Sequence, residues 1–358
     1  MERFGFVGLP NAGKSSLFNA LSGGNALAAA YPFATIDPNV AVTQVPDDRL
    51  DRLAALSNSA KIVHAVVEFV DIAGLVEGAN KGEGLGNRFL GHIREVDAIV
   101  FVLRAFADDD VTGSHDPLEH LATVETELAL ADLQSLEGRI ERQRKAARAD
   151  KALRLEVEAA DAALAALSDG TPLYRSNLSA ERRQLLRPWF LLTNKAVLVV
   201  VNIGEDQLAD ADAVAAPVRA AFGPGAEVLA MCVQLEAEAA QLPVEERAEL
   251  LDAYGLGEGA VTRLIQSAYR LLGRRTFFTT GEDESRAWTF RAGAKAPECA
   301  GVIHTDFQRG FIKAECVHWD ELLELGSWSK ARDVGKLRIE GKDYEVVDGD
   351  VLEFRFNV

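Results

Sequence analysis

One short segment near the start of the chain limits the fold more than any other feature. Residues 8–15 read Gly-Leu-Pro-Asn-Ala-Gly-Lys-Ser, which is the spacing G-x-x-x-x-G-K-[ST]. The apolar residues 3–8 before it have the pattern of a strand, and residues 14–21 after it have the pattern of a helix. A strand, a tight loop and a helix in this order predict an α/β domain whose loop binds phosphate.

The residue types in this loop explain why it would bind phosphate. Main-chain N–H groups of the loop form a concave anion site, and the following helix presents its positive N-terminal end to the same anion. Gly13 supplies the backbone freedom that a close approach requires. Lys14 is placed to reach the β- and γ-phosphates, and the Ser15 hydroxyl to bind Mg²⁺. We therefore expect a hydrolase of the β–γ phosphoanhydride of a nucleoside triphosphate, with Lys14 in a catalytic role.

Two further segments follow in the order expected of a nucleotide-dependent switch. Thr35 lies in a loop after the first helix, where a threonine can bind Mg²⁺ and sense the γ-phosphate. Asp71 and Gly74 form an Asp-x-x-Gly after an apolar strand, so we expect Asp71 to hold Mg²⁺ through water and the Gly74 N–H to contact the γ-phosphate. Leu75 stands where Ras-like switches carry the glutamine that orients water. Either another group positions the water, or intrinsic hydrolysis is slow.

The segment that would read the base departs from the guanine pattern. Guanine-specific switches carry Asn-Lys-x-Asp after a later strand, and its aspartate accepts from two guanine donors, N1–H and the 2-amino group. Asn194 and Lys195 precede the apolar strand 197–201, so we interpret them as a chance match. Residues 202–205, Asn-Ile-Gly-Glu, follow that strand. This altered segment is compatible with adenine, which has an acceptor at N1 and a donor at N6, and it leaves GTP open.

The composition fits a globular protein of two or three domains. Of 358 residues, 48% are hydrophobic and 26% charged, and no apolar run approaches the roughly 20 residues of a membrane span. The chain starts without a cleavable signal, and its three scattered cysteines show no metal-ligand spacing. We expect a cytoplasmic protein that binds no membrane. A net charge of −17 argues against a globally basic nucleic-acid binder.

Hydrophobic patterning divides the chain into three predicted domains. Residues 1–116 and 191–273 alternate strand and helix patterns and are predicted to form the nucleotide-binding domain. Residues 117–190 show long helical periodicity, which predicts an inserted helical hairpin of the coiled-coil type. Short β-type runs with Gly and Asp turns follow Gly273, so residues 274–358 are predicted to be a separate small α+β domain.

The whole chain resembles the YchF or Obg-like ATPase family, a branch of the Obg group of P-loop NTPases. The matching segments are GLPNAGKSS at 8–16, YPFATIDPN at 31–39, EFVDIAGLVEGANKGEGLG at 68–86, NIGE at 202–205 and GVIHTDFQRGFIKAE at 301–315. The resemblance implies a G domain, a helical coiled-coil insertion and a C-terminal TGS domain, which is a ubiquitin-like β-grasp module. It also implies preference for ATP over GTP, dependence on Mg²⁺, binding to the ribosome (its large subunit or the 70S particle) and a role in translation or the stress response.

When the family's motif positions are matched to this chain one by one, the resemblance implies which residues form the site. Mg²⁺ ligands fall on Ser15 and Thr35, and Leu75 matches a hydrophobic residue that the family has in place of glutamine. Asn11 matches an asparagine that helps bind K⁺ in potassium-dependent relatives. Many members carry an assisting histidine in the loop after residues 101–106, but here that loop is shorter and its His115 does not align. Nucleotide contacts fall on Asn11, Ala12, Gly13, Lys14, Ser15, Ser16, Asn202, Ile203 (whose backbone lies beside the base) and Glu205.

One basic stretch stands out in the acidic chain. Residues 139–154 carry seven Lys or Arg residues opposed only by Glu141 and Asp150. This stretch, from Arg139 to Arg154, is predicted near the tip of the helical hairpin, where it either contacts rRNA or is a solvated helix face. We expect a monomer. Three functions stay open: an ATPase that cycles on the ribosome, a nucleotide-gated ribosome-binding regulator with vestigial hydrolysis, and an Obg-type GTPase.

Overall fold

The structure is a computed structural model of the whole chain. It describes residues 2–23, 39–72, 85–108, 112–148, 150–223 and 226–357, with the backbone alone for 85–89. Contacts group the chain into two compact units, Met1–Thr43 with Glu68–Leu264 and Gln44–Val67 with Ile265–Val358. This grouping differs from the predicted boundaries, which placed all of residues 1–116 in the nucleotide-binding domain.

The described residues form α-helices and β-strands with the following bounds. In chain order they are β1 (Glu2–Val7), α1 (Lys14–Ser22), β2 (Val40–Gln44), α2 (Asp48–Ser57), β3 (Ile62–Val63), β4 (Val66–Asp71), α3 (Leu85–Glu95), β5 (Ala98–Arg104), α4 (Pro117–Ala146), α5 (Lys151–Ser168), α6 (Ala180–Leu185), β6 (Ala196–Asn202), α7 (Ala211–Phe222), β7 (Val228–Met231), α8 (Val233–Ala239), α9 (Val244–Ala253), α10 (Ala260–Leu271), β8 (Arg274–Thr279), β9 (Ser285–Arg291), α11 (Ala296–Ile303), α12 (Thr305–Arg309), β10 (Phe311–His318), α13 (Trp319–Leu325), α14 (Trp328–Asp333), β11 (Arg338–Glu340) and β12 (Asp350–Phe356). None of these described helices is long and apolar enough to cross a membrane.

The N-terminal unit is built on a six-stranded sheet in the order β2-β4-β1-β5-β6-β7. The pairs β1–β5, β5–β6 and β6–β7 are parallel. All seven residues of β5 are buried, as its continuous apolar run predicts for a strand covered on both faces. The carboxyl ends of parallel strands meet at one sheet edge, where such folds bind ligands. The predicted α/β nucleotide-binding fold is therefore confirmed.

The predicted helical insertion is confirmed as the hairpin of α4 and α5. Asp116 caps α4 by accepting from the Leu118 N–H at 2.8 Å, and Asp150 caps α5 by accepting from the Ala152 N–H at 2.8 Å. A third helix, α6, follows the hairpin and ends at Leu185, because Pro188 lacks an N–H and disfavours a helix before it. The hairpin has its own core, made of Ala129, Leu136, Ile140, Ala159, Ala160, Ala163, Leu167, Leu173, Leu186, Trp189 and Leu191.

A buried carboxylate joins α4 to the segment that leads into β6. Asp132 is fully buried, and its Oδ1 accepts from the Leu192 N–H at 2.7 Å. Its Oδ2 accepts from the Thr193 N–H at 2.8 Å and the Thr193 hydroxyl at 2.7 Å. Burial raises the pKa of Asp132 to about 6, and these hydrogen bonds oppose the rise only in part. The segment that leads into β6 is thus held to α4 by three hydrogen bonds.

The stability of the protein should depend on pH through Asp132. Because its folded pKa lies above the ordinary 3.8, the folded state binds more protons there between about pH 4 and pH 6. The contribution of Asp132 to the free energy of unfolding should fall as pH rises through this window, by up to about 3 kcal/mol. Urea unfolding at pH 4.5 and 7.5 checks this, because Asp132→Asn should lose this pH dependence.

The exposed Asp161, which pairs with Arg144 on the surface, provides the control. Asp161→Asn should leave the pH profile close to wild type. Parallel profiles for wild type and Asp132→Asn would contradict the assignment.

The C-terminal unit has a six-stranded sheet in the order β11-β10-β12-β8-β9-β3. Strands β12 and β8 are parallel between antiparallel neighbours, and α11 packs Cys299 and Ala300 into the core on one face. This is the predicted β-grasp architecture. Residues 44–67 complete it, since β3 pairs with β9 and Arg49 forms a 2.7 Å ion pair with Asp348.

Candidate nucleotide-binding site

The loop between β1 and α1 lies directly against the end of β5. A Cβ atom on Gly8 would lie 2.3 Å from the Val102 carbonyl oxygen, so only glycine fits there. Gly13 precedes α1 with a φ of 99°, in the left-handed region that favours glycine. Asn11 has a φ of 61°, which asparagine tolerates. The backbone thus has the shape that the sequence motif predicts.

Asn202, at the end of β6, holds this loop in place through a side-chain hydrogen bond. Its Nδ2 donates to the Ala12 carbonyl at 3.0 Å, and its Oδ1 accepts from the Val233 N–H at 3.1 Å. A Cβ on Gly13 would lie 2.3 Å from the same Nδ2. Asn202 is 4% exposed, so both hydrogen bonds are shielded from water. The phosphate loop and the start of α8 are therefore held together by one amide.

The side chain of Lys14 lies against the loop that is predicted to bind phosphate. Its Nζ donates to the Gly8 carbonyl at 2.9 Å and the Leu9 carbonyl at 2.8 Å, and the residue is 7% exposed. Burial lowers the pKa of Lys14, and the charge of Asp71 opposes this shift. The ammonium group lies within a cluster of oxygen acceptors, a suitable starting position for a phosphate ligand.

Ser15 and Asp71 bring a hydroxyl and a carboxylate together. The Ser15 Oγ donates to the Asp71 Oδ2 at 3.1 Å, although the two residues are far apart in sequence. Mg²⁺ prefers oxygen ligands and usually one or two carboxylates beside phosphate, so this donor pair fits the ion. The other predicted residues of this region, Thr35, Gly74 and Leu75, lie outside the described residues.

The base-reading segment is ordered by contacts on both sides. The buried Ile203 donates its N–H to the Met231 carbonyl at 3.0 Å, and the Gly204 N–H donates to the Gln207 Oε1 at 2.8 Å. Glu205 is exposed, and its Oε2 accepts from the Tyr254 hydroxyl at 3.3 Å. The structure therefore brings Asn202, Ile203 and Glu205 to the sheet edge that carries the phosphate loop.

The competing Asn-Lys pair lies at the opposite end of β6. Lys195 donates to the Arg94 carbonyl at 3.1 Å and the Val96 carbonyl at 2.5 Å, and Asn194 donates to the Arg183 carbonyl at 3.0 Å. These contacts fix the amino end of the strand. The interpretation of Asn194 and Lys195 as a chance match agrees with this placement.

Sequence reasoning missed several residues that hold the site. Gln207 and Tyr254 contact the base-reading segment, and His120 anchors the loop after β5 with its Nε2 2.7 Å from the Ser114 carbonyl. Burial lowers the pKa of His120, which favours the neutral ring. The Gln three residues after Gly204 is a capping signal that was readable, but no signal marked Tyr254 or His120. The His115 considered from sequence is exposed.

The basic stretch 139–154 lies at the hairpin turn, as predicted. Arg139 is engaged with Trp189, donating to its carbonyl at 3.1 Å and lying 4.8 Å from its ring centroid. Arg144 pairs with Glu141 and Asp161. The other exposed cations of this surface are Arg142, Lys145, Arg148, Lys151 and Arg154.

Comparisons with known proteins agree with this architecture. A family model described as 50S ribosome-binding GTPase matches residues 3–135, and the YchF-GTPase C-terminal model, described as Protein of unknown function (DUF933), matches residues 275–357. The chain is 48% identical to the Ribosome-binding ATPase YchF of Bacillus subtilis over 99% of each chain. It is 40% identical to the Obg-like ATPase 1 of Oryza sativa, covering 99% of this chain and 92% of that one. The structure of the Schizosaccharomyces pombe YchF GTPase matches with a TM-score of 0.88 and 34% identity, covering 99% of this chain and 97% of that chain.

Proposed function

Because the chain belongs to the YchF family, we propose that it is a Mg²⁺-dependent ATPase that binds the ribosome. The observation that carries this proposal is the phosphate loop tied by Asn202 to the base-reading side, with Lys14, Ser15 and Asp71 gathered at the same sheet edge. Relatives at 48% and 45% identity are named ribosome-binding ATPases, which supports both halves of the proposal. Such a protein would work in the cytoplasm, and we propose that it does so as a monomer.

The phosphate-binding roles follow from the contacts. Main-chain N–H groups of residues 11–16 bind the phosphates, and Lys14 moves its three donors from loop carbonyls to the β- and γ-phosphate oxygens. Ser15, Thr35 and Asp71 would hold Mg²⁺, which neutralises developing charge on the phosphates. The Gly74 N–H is proposed to contact the γ-phosphate.

The base preference is proposed to favour ATP. Glu205 replaces the aspartate of guanine-specific switches, and Ile203 replaces the lysine beside it. Ile203 directly follows the last residue of β6, and its backbone is proposed to border the base. Adenine, with one amino donor and an acceptor at N1, is proposed to pair with the backbone beside Ile203 and with the longer Glu205 side chain.

A monovalent cation is proposed to assist hydrolysis. Leu75 cannot orient water, so positive charge beside the phosphates must come from elsewhere. Asn11 lies in the loop with its backbone in the left-handed region, and its side-chain oxygen is the proposed K⁺ ligand. Leu75 also keeps a second function open, in which ATP occupancy alone gates ribosome binding.

Turnover measurements separate these functions. ATP hydrolysis is measured with and without ribosomes, in K⁺ and in Na⁺, for wild type and Lys14→Ala. If the protein is an ATPase, wild type should hydrolyse ATP faster when ribosomes and K⁺ are present. The rate of Lys14→Ala should not rise under these conditions. If wild type hydrolyses ATP no faster than Lys14→Ala under every condition, only the nucleotide-gated regulator remains. Equal wild-type rates in Na⁺ and K⁺ would contradict the proposed role of the monovalent cation.

The basic surface at the hairpin turn is proposed to contact rRNA. Arg142→Ala with Arg148→Ala should weaken ribosome co-sedimentation about tenfold and reduce the salt slope by about two, because two phosphate contacts are lost. Arg144→Ala is the matched control, since Glu141 and Asp161 already neutralise Arg144. If the double variant pellets like wild type, the surface is a solvated helix face.

A further inference from the structure

Tyr254 contacts the base-reading segment from an element that no sequence motif assigns to the site. It follows α9 directly, and its hydroxyl donates to the Glu205 Oε2 at 3.3 Å. The charge of Glu205 raises the pKa of Tyr254, so the hydroxyl keeps its proton and remains a donor. Glu205 is thus not a free carboxylate, because one of its two oxygens has a partner.

The position of Tyr254 is fixed by contacts on both sides of it in the chain. Before it, Arg247 of α9 donates to the Ala239 and Ala240 carbonyls at 3.1 Å each, which holds α9 against the end of α8. After it, the buried Glu236 of α8 accepts from the Ala260 N–H.

Helix α8 is in turn joined to the phosphate loop. The Val233 N–H at its start donates to Asn202, which also holds Ala12. Tyr254, Glu205 and the phosphate loop therefore belong to one connected hydrogen-bonded frame. The Tyr254–Glu205 contact lies at the exposed edge of this frame.

The hydrogen bond changes what Glu205 can accept. A carboxylate that reads guanine uses both oxygens, one for N1–H and one for the 2-amino group. Adenine offers one exocyclic amino group beside the N1 acceptor, so it needs only one oxygen. Because Oε2 already accepts from Tyr254, the orientation of the Glu205 carboxylate is fixed and Oε2 is a weaker acceptor for a second donor. Oε1 remains as the stronger acceptor, which is sufficient for the one amino group of adenine but pairs less well with the two donors of guanine. A poorly paired donor in a binding site weakens binding.

We propose that Tyr254 is a positioning residue for base specificity. Its hydrogen bond holds the Glu205 carboxylate with Oε2 already accepting one donor, and this disfavours guanine nucleotides. The inference rests on the proposed ATP-binding function and adds the residue that sets its selectivity. Tyr254 acts through Glu205 and takes no part in hydrolysis.

The test is the ratio of the dissociation constants for GTP and ATP, measured by calorimetry with Mg²⁺. Tyr254→Phe keeps the ring and removes the donor, so the ratio should fall about three- to tenfold, mainly through tighter GTP binding. Glu205→Gln, which has one acceptor oxygen, should make the Tyr254→Phe change smaller in the double variant. Tyr344→Phe, which removes a hydroxyl bonded to Asp350 in the C-terminal unit, should leave the ratio at the wild-type value.

The outcomes separate this inference from the proposed function. Wild type that binds neither nucleotide would refute the proposed function itself. Wild type that prefers ATP, with an unchanged ratio in Tyr254→Phe, would overturn the inference and leave the function standing. Equal weakening of ATP and GTP together with a lower melting temperature would show that Tyr254 only stabilises the fold, and would also overturn it.

Discussion

Replacing Lys14 with alanine is expected to lower kcat/KM for ATP by about 10²- to 10³-fold, the usual cost of removing one charged donor from a developing negative charge. The ammonium group is buried among loop carbonyls, next to the proposed site of the phosphates. Alanine also removes the two hydrogen bonds to the Gly8 and Leu9 carbonyls, so the variant should lose about 1–3 kcal/mol of stability. Steady-state hydrolysis and thermal unfolding of the same preparation measure both effects.

Lys195 is the matched control for this variant. It is also a lysine whose pKa is lowered by burial, and it also donates to two main-chain carbonyls. It lies at the amino end of β6, away from the phosphate loop. Lys195→Ala should cost about 1–3 kcal/mol of stability and keep the wild-type kcat/KM. If the two variants lose activity equally, the loss reports unfolding and Lys14 has no special role.

Asn202→Ala should have the second large effect, on both stability and affinity. It leaves the Ala12 carbonyl and the Val233 N–H without their buried partner, which should lower the free energy of unfolding by about 3 kcal/mol. The phosphate loop also loses its support, so ATP affinity should fall by about tenfold or more. Urea unfolding and calorimetric titration with ATP measure the two quantities.

Asn194 provides the comparison for Asn202. It donates to the Arg183 carbonyl at 3.0 Å, and within the described part of the chain its Oδ1 has no hydrogen-bond partner. Asn194→Ala should therefore cost about 1 kcal/mol and leave ATP affinity unchanged. An Asn202→Ala protein that binds ATP like wild type would show that the loop keeps its shape without the amide.

The sequence motif and the hydrophobic patterning predicted the phosphate loop and the strands around it, because each of these features has a strong signal over a few residues. The glycines at 8 and 13 stand where a Cβ would collide with Val102 or Asn202, so the motif and the packing agree. The buried run of β5 and the caps of α4 and α5 were equally readable. The fold class followed from these signals and from the resemblance to the YchF family.

The missed features depend on contacts between distant parts of the chain. Residues 44–67 look like an ordinary part of the N-terminal sheet domain, but β3 is only two residues long and pairs with β9 more than 200 positions away. Tyr254 follows an unremarkable helix, and only the packing of α9 on α8 brings it to Glu205. Periodicity reports which residues are buried and does not report which elements they meet.

The central claim is that a triphosphate binds in the loop 8–16 with Lys14 neutralising part of its charge. Calorimetric titration of the purified protein with ATP in the presence of Mg²⁺, for wild type and Lys14→Ala, tests it most directly. We predict saturable binding at one site per chain for wild type, tighter for ATP than for GTP, and strongly weakened binding for the variant. Absence of saturable binding of any purine nucleotide by wild type, or binding unaffected by Lys14→Ala, would contradict the claim.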